Sequence, residues 1–279
     1  MATPTKRSAR LTGADGGPLR VDVRRAGDAA GTVVVCHGFK GFKDWGFFPV
    51  IAERLARAGF AVVSFNFSGS GVGADEQTFG ERERFGRATY TNHLKDLDIV
   101  LDALADGRLA FRPTAVGLLG HSMGGGIAAL RAAADPTITA LVTWAATARF
   151  GRLWRRDQIA DWRRTGKLDV TNQRTGEVLP LYVDMLDDWE RHQSALDVTQ
   201  AAARVRAPWL VVHGSGDESV PVQDAGELCA RARDAHILVV EGAGHTFGVA
   251  HPWSGSTPAF DRVADATVEW FARHLHSTS

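Results

Sequence analysis

The chain has 279 residues, 44% of them hydrophobic and 23% charged, which supplies a sizeable core and excludes disorder over most of its length. Its 32 basic and 32 acidic side chains cancel, so no global charge draws it to nucleic acid or to an anionic membrane. Two cysteines, Cys36 and Cys229, are too few for a disulfide scaffold or a cysteine-based zinc site, and no apolar run reaches the length of a membrane span.

The opening MATPTKRSARLTG is basic with no apolar segment behind it, so no secretory signal is expected and the expected location is cytoplasmic. Short valine-rich runs predict strands at Leu19–Arg24 and Thr32–Cys36. A helix over Pro49–Ala58, closed by Gly59, leads to a strand at Ala61–Phe65. Gly69-Ser70-Gly71-Val72-Gly73 lacks the spacing of a phosphate loop and reads as a flexible loop at the edge of a site. The alternating charges of Glu81–Arg87 read as a solvated surface. Leu94, Leu97, Val100, Leu101 and Leu104 recur at helical spacing within His93–Ala105. A strand at Ala115–Leu119, a helix at Ser122–Ala134 and a strand at Ala140–Thr143 come next. The strand Trp209–His213, the helix Val222–Arg233, the strand Ile237–Val240 and the helix Phe260–Leu275 complete the series. This alternation predicts an α/β fold, a mostly parallel central sheet with helices on both faces.

The rhythm breaks between Arg149 and Ala201, where Trp154, Trp162, Tyr182 and Trp189 sit among arginines. Residues 149–201 therefore read as an insertion, with 1–148 and 202–279 forming the core. Within it, Asp169–Gln173, Arg174-Thr175-Gly176 and Glu177–Leu181 read as a hairpin. The insertion is expected to be a lid over a pocket, the alternative being a solvated connection with some buried aromatics.

Gly120-His121-Ser122-Met123-Gly124 is a G-x-S-x-G pattern placed after a strand and before an apolar helix. That is the setting in which a serine is held on a tight turn with its hydroxyl presented. Such a serine needs a histidine base and a carboxylate to orient it, and in this kind of sheet acid and base follow in chain order. Asp217 follows the strand Trp209–His213 through Gly214-Ser215-Gly216, and competes with Glu218 and Asp224. His245 follows the strand Ile237–Val240 in a glycine-rich loop, with His251 as its main rival. His37 and His121 precede the acid and are poor candidates. The oxyanion requires two donors, expected to be the backbone N–H groups of Met123 and of Phe39, which lies in His37-Gly38-Phe39-Lys40-Gly41 after an early strand. Trp45, Phe47 and Phe48 are read either as a pocket wall near Phe39 or as core. No His/Asp/Glu set has metal-ligand spacing, and this chemistry requires no cofactor.

The ordered set His37-Gly38-Phe39, Gly120-His121-Ser122-Met123-Gly124, Gly216-Asp217 and Gly244-His245 resembles the α/β-hydrolase superfamily over nearly the whole chain, Leu19 to Leu275. His37-Gly38-Phe39-Lys40-Gly41 and Arg174-Thr175-Gly176-Glu177-Val178-Leu179-Pro180-Leu181 are most similar to small bacterial esterases of the cinnamoyl/feruloyl-esterase-like and serine-aminopeptidase-like group. The resemblance implies Ser122 as nucleophile, His245 as base and acid, Asp217 as orienter, Phe39 and Met123 as oxyanion donors, and a lid that shapes the acyl or alcohol pocket. A serine at the elbow argues against the dehalogenases and epoxide hydrolases of this fold, which use an aspartate there. The expected activity is cleavage of a small-molecule carboxylic ester, with a small or aromatic acyl group, by two-step acyl transfer. Thioesterase, aminopeptidase-like amidase and acyltransferase activities are alternatives on the same residues, and a non-catalytic small-molecule-binding protein is the rival from another class. A homodimer is left open; neither nucleic acid nor membrane is an expected partner.

Overall fold

In the computed structural model, which describes residues 3–172 and 176–275, the chain opens with strands β1 (Thr5–Thr12), β2 (Pro18–Arg25) and β3 (Thr32–Cys36). Helix α1 (Phe48–Arg57), strand β4 (Ala61–Phe65) and helices α2 (Arg82–Gly86) and α3 (Tyr90–Ala105) follow. Next come β5 (Val116–His121), α4 (Met123–Ala134) and β6 (Ile138–Trp144). After α5 (Arg156–Thr165), the hairpin strands β7 (Lys167–Thr171) and β8 (Val178–Tyr182), α6 (Asp184–Arg191) and α7 (Val198–Ala202), the chain closes with β9 (Trp209–Gly214), α8 (Gln223–Arg231), β10 (Ala235–Val240) and α9 (Pro258–His274).

Eight strands form one sheet in the order β1-β2-β4-β3-β5-β6-β9-β10. Within this sheet β1 pairs antiparallel with β2 and β2 with β4, whereas β4, β3, β5, β6, β9 and β10 pair in parallel. The unbroken apolar run of β3 follows from burial on both faces. Val34 and Cys36 point into a layer shared with α3, α4, α7 and α8, whereas Val33 and Val35 point into the opposite layer with α1 and α9. The expected α/β architecture is present, with every expected strand and helix found and its ends shifted by at most three residues.

Three elements differ from the sequence reading. Thr5–Thr12 is polar and mostly exposed, yet it pairs along its length with β2 as the sheet edge, where Lys6, Arg7 and Arg10 oppose further strand addition. Glu81–Arg87 is not simply solvated, because α2 buries Phe85 and Gly86 and packs on β8 of the hairpin. A Cβ on Gly86 would lie 2.6 Å from the Tyr182 ring, and Tyr182 Oη donates to Glu83 at 2.7 Å. The glycine-rich 69–73 segment is buried rather than a loose loop. Asp96 pins it, accepting from Ser68 N at 2.7 Å and from Ser68 Oγ at 2.8 Å.

Because β6 and β9 are parallel neighbours, residues 145–208 form one long crossover. It contains α5, the hairpin, α6 and α7, and buries Trp162, Leu179, Leu181, Met185 and Leu186. Helix α7 packs on α4 and α8 and so lies in the helical layer of the core. The hairpin register Thr171↔Val178 supports the expected strands, while Gln173 at the end of the first expected strand and Arg174 and Thr175 of the expected turn lie outside the described residues. Among the described residues no helix is long and apolar enough to cross a membrane.

Phe260 is fully buried between Phe47, Trp144 and Trp253 on the α1/α9 face. Phe260→Ala is expected to destabilise the fold by about 3–5 kcal/mol, measured as a lower denaturant midpoint at unchanged slope.

Candidate active site

Strand β5 ends at His121 and α4 begins at Met123, leaving Ser122 alone at the turn with φ 57° and ψ −123°. A non-glycine residue in that region costs about 1–3 kcal/mol and persists only where its surroundings enforce it. Here the enforcement is backbone crowding. A Cβ on Gly124 would sit 2.3 Å from the His37 carbonyl oxygen, and one on Gly120 would sit 2.4 Å from the Gly124 carbonyl oxygen. Ser122 N–H donates to the Trp144 carbonyl at 2.9 Å, and the Ser122 carbonyl accepts from Gly125 N at 3.0 Å. The serine thus stands at the N-terminus of a 12-residue helix, where unpaired N–H groups and the helix dipole favour negative charge.

The loop after β3 packs against this turn, since a Cβ on Gly38 would lie 3.0 Å from the Ser122 Cβ. His37 shapes that loop. Its Nε2 accepts from Phe67 N–H at 3.1 Å, so the proton resides on Nδ1 and is donated to the Gly38 carbonyl at 2.9 Å. Phe39 is half-buried, its ring 5.4 Å from Phe85 and 5.6 Å from Trp154 of the insertion. Trp154 Nε1 donates in turn to Tyr90 Oη at 3.2 Å. Lys40, in the left-handed region at φ 56°, donates to the Thr171 carbonyl of the hairpin at 3.3 Å.

Asp217 and His245 meet directly. His245 Nδ1 lies 2.7 Å from Asp217 Oδ2, and because a carboxylate only accepts, Nδ1 carries a proton and Nε2 is the nitrogen turned away from the acid. The other carboxylate oxygen accepts from Ser219 N at 2.8 Å and Val220 N at 3.0 Å. Burial pushes the Asp217 carboxyl up, but the bonds from His213 and His245, the His245 charge and the Val220 N–H outweigh it and hold the group well below the usual carboxylate range. Close backbone contact unites the two loops: a Cβ on Gly214 would lie 2.1 Å from the Ala243 carbonyl oxygen, which also accepts from Gly216 N at 3.0 Å. His121 connects them to the serine turn, donating from Nε2 to the His245 carbonyl at 3.0 Å with ring centroids 4.7 Å apart.

The rivals have other partners. Glu218 is exposed. Asp224 is buried and accepts from Ala148 N at 2.7 Å and from Arg152 at 2.7 Å, anchoring the start of the 145–208 crossover to α8. His251 accepts from Gly46 N at 2.9 Å and stacks on Trp45. Phe47 and Phe48 are buried, with Phe47 packed on Trp144, Phe260 and His121, so they form core rather than pocket wall. A cavity of about 380 Å³, lined by Arg149, Phe150, Arg152 and Trp189 among others, contains none of the candidate residues.

Two features escaped the sequence. His213 also reaches Asp217 Oδ2, at 3.3 Å. Asp22, Asp44 and Glu76 converge closely enough to hold a cation, and the buried Lys43 ammonium occupies that role, 2.8 Å from Asp22, 2.6 Å from Glu76 and in contact with Asp44. Burial lowers the Lys43 pKa, but these carboxylates more than reverse it, pushing it up to about 12. No local pattern announces a cluster assembled from positions 22, 43, 44 and 76.

A model of the alpha/beta hydrolase family matches residues 33–265. The chain belongs to that family. This hydrolase is 25% identical, over 87% of its length and 91% of the relative's, to an uncharacterized 31.7 kDa protein of Escherichia coli from the traX-finO intergenic region. Among solved structures it is similar to Est1E of Butyrivibrio proteoclasticus with ferulic acid bound (TM-score 0.72, 20% identity, 95% of this chain and 100% of that one). It is also similar to the acylaminoacyl peptidase of Pyrococcus horikoshii (TM-score 0.71, 17% identity, 100% of this chain and 43% of that one). At these identities the two structures share the fold.

Burial holds His37 at about 4, and His93 and His121 at about 3, against 6.5 for an ordinary histidine; the charges of His37 and of His245 lower His93 and His121 further. Buried Asp96 is shifted the other way, up to about 6 from 3.8. Near pH 5 the unfolded chain therefore binds about three more protons at the histidines and about one fewer at Asp96, a net uptake of about two. Stability is expected to fall on acidification from pH 6.5 to pH 5, with that uptake measured from the pH slope of the unfolding free energy; a flat profile there would contradict these assignments.

Proposed function

We propose that this hydrolase is a serine esterase that cleaves carboxylic esters by two-step acyl transfer. The observation that carries the reading is Ser122 held in the left-handed region at the start of α4, beside a loop whose histidine is already paired to a carboxylate. In this reading His245 Nε2 takes the Ser122 proton as the serine oxygen attacks the ester carbonyl. The tetrahedral oxyanion is held by the N–H groups of Met123, at the first turn of α4, and of Phe39, in the loop that His37 shapes. The imidazolium, stabilised by Asp217, gives its proton to the departing alcohol, and water then repeats the sequence to release the acid. Each oxyanion donor contributes about 3 kcal/mol to the transition state.

Residues 149–201 serve in this reading as a lid. Support comes from Trp154, which packs on the ring of Phe39, and from Lys40, which bonds to the hairpin, so the insertion touches the oxyanion loop itself. The aromatic surroundings of Phe39 suit an aromatic or otherwise apolar acyl group. The similarity to an acylaminoacyl peptidase keeps amide cleavage as a second reading on the same residues, separable by a panel of ester, thioester and aminoacyl-amide substrates.

Wild type is expected to label at Ser122 with a fluorophosphonate, as mapped by peptide mass. Ser122→Ala should remove the label and lower turnover by about four to six orders of magnitude with an unchanged circular-dichroism spectrum. His245→Ala should lose activity comparably. Normal turnover by folded Ser122→Ala would sink the proposal, and normal turnover by His245→Ala would reassign the base.

A further inference from the structure

His213 is the penultimate residue of β9, and its side chain is fully buried. Its Nε2 lies 3.0 Å from the Val220 carbonyl and 3.3 Å from Asp217 Oδ2, both acceptors. Nε2 therefore carries a proton shared between them, while Nδ1 is buried without a hydrogen-bond partner. Asp217 Oδ2 consequently receives two imidazole N–H groups, from His213 on the strand side and His245 on the site side, and Oδ1 receives two backbone N–H groups. The carboxylate is held on every side. A buried N–H beside the carbonyl of Val220 alone would need no aspartate; a buried ring with one nitrogen bare is an arrangement that a leucine or phenylalanine would fill without the polar cost.

We propose that His213 is a positioning residue for Asp217, a second histidine that shares Oδ2 with His245 and fixes the plane of the carboxylate. The proposal rests on the esterase reading for its catalytic consequence. The titratable groups facing Asp217 are His213 from β9, His245 from the loop after β10 and His121 from the end of β5. Burial keeps His121 neutral, so it supplies no competing charge. With His213 removed, Oδ2 is no longer shared. Asp217 then takes a proton more readily and its bond to His245 tightens, while the carboxylate plane loses one of its restraints. Catalysis should then fail at higher pH on the acid side, without a change in how substrate is held.

The test combines side-chain NMR with kinetics on wild type, His213→Phe and His213→Gln, the last retaining a donor at the position of Nε2. In wild type, nitrogen shifts should show His213 protonated on Nε2 and bare on Nδ1. In folded His213→Phe the low-field His245 Nδ1–H resonance should move further downfield. Its kcat should fall about tenfold to a hundredfold with KM retained, and the acid limb should move to higher pH. His213→Gln should restore both the resonance and the limb. A bare Nε2 in wild type overturns the proposal even if His213→Phe does not fold, as does an unmoved His245 resonance in folded His213→Phe. The NMR readings need no turnover, so an inactive wild type would remove the esterase reading and leave the His213–Asp217 assignment to be decided on its own.

Discussion

The close approach of two backbones beneath Ser122 is the constraint on which the rest of the site depends. The start of α4 presses so tightly on the end of β3 that only hydrogen fits at position 124. That contact forces the serine into the left-handed region and brings the His37–Gly41 loop beside it. One packing decision thus sets both the presentation of the serine and the position of Phe39. The strain at Ser122 persists because it is surrounded on three sides by ordinary secondary structure: β5 before it, α4 after it and the hydrogen bond to β6 beside it.

A second constraint is the use of buried histidines as fixed polar connectors. His37 joins the loop after β3 to Phe67, His121 joins the serine turn to the His245 carbonyl, and His213 joins β9 to Asp217. Each is buried and each carries its proton on the nitrogen that its acceptor dictates. Burial makes the charged form of His37 and His121 expensive, so these connectors stay neutral and leave the carboxylate of Asp217 to set the local field. The protein is consequently sensitive to acid at the same groups that hold its site together.

The long crossover between β6 and β9 is held to the rest of the fold by interactions of two kinds. Asp224 accepts from Ala148 N and Arg152 and fixes where it begins. Aromatic contact between Trp154, Phe39 and Phe85, together with the packing of α2 on the hairpin, fixes its far side against the loop after β3. A shift of the crossover would therefore be felt at Phe39, beside the serine turn.

The chain by itself determined the order of strands and helices, because strands covered on both faces leave continuous valine-rich runs and the covering helices keep their 3.6-residue spacing. It also determined the serine turn and the loops bearing Asp217 and His245, since glycines must stand where backbones meet or turn. The edge strand β1 and the helix α2 were illegible in it: both are charged stretches whose structure comes from pairing or packing with distant segments. Only the tertiary structure decided that Asp217 rather than Glu218 or Asp224 meets a histidine, and that this histidine is His245 rather than His251. It alone placed His213 on the same carboxylate and Lys43 among three acids. The reason is physical: hydrogen bonds and ion pairs depend on distances across the sheet edge, and residues far apart in sequence reach those distances only after β3, β5, β6, β9 and β10 are aligned side by side.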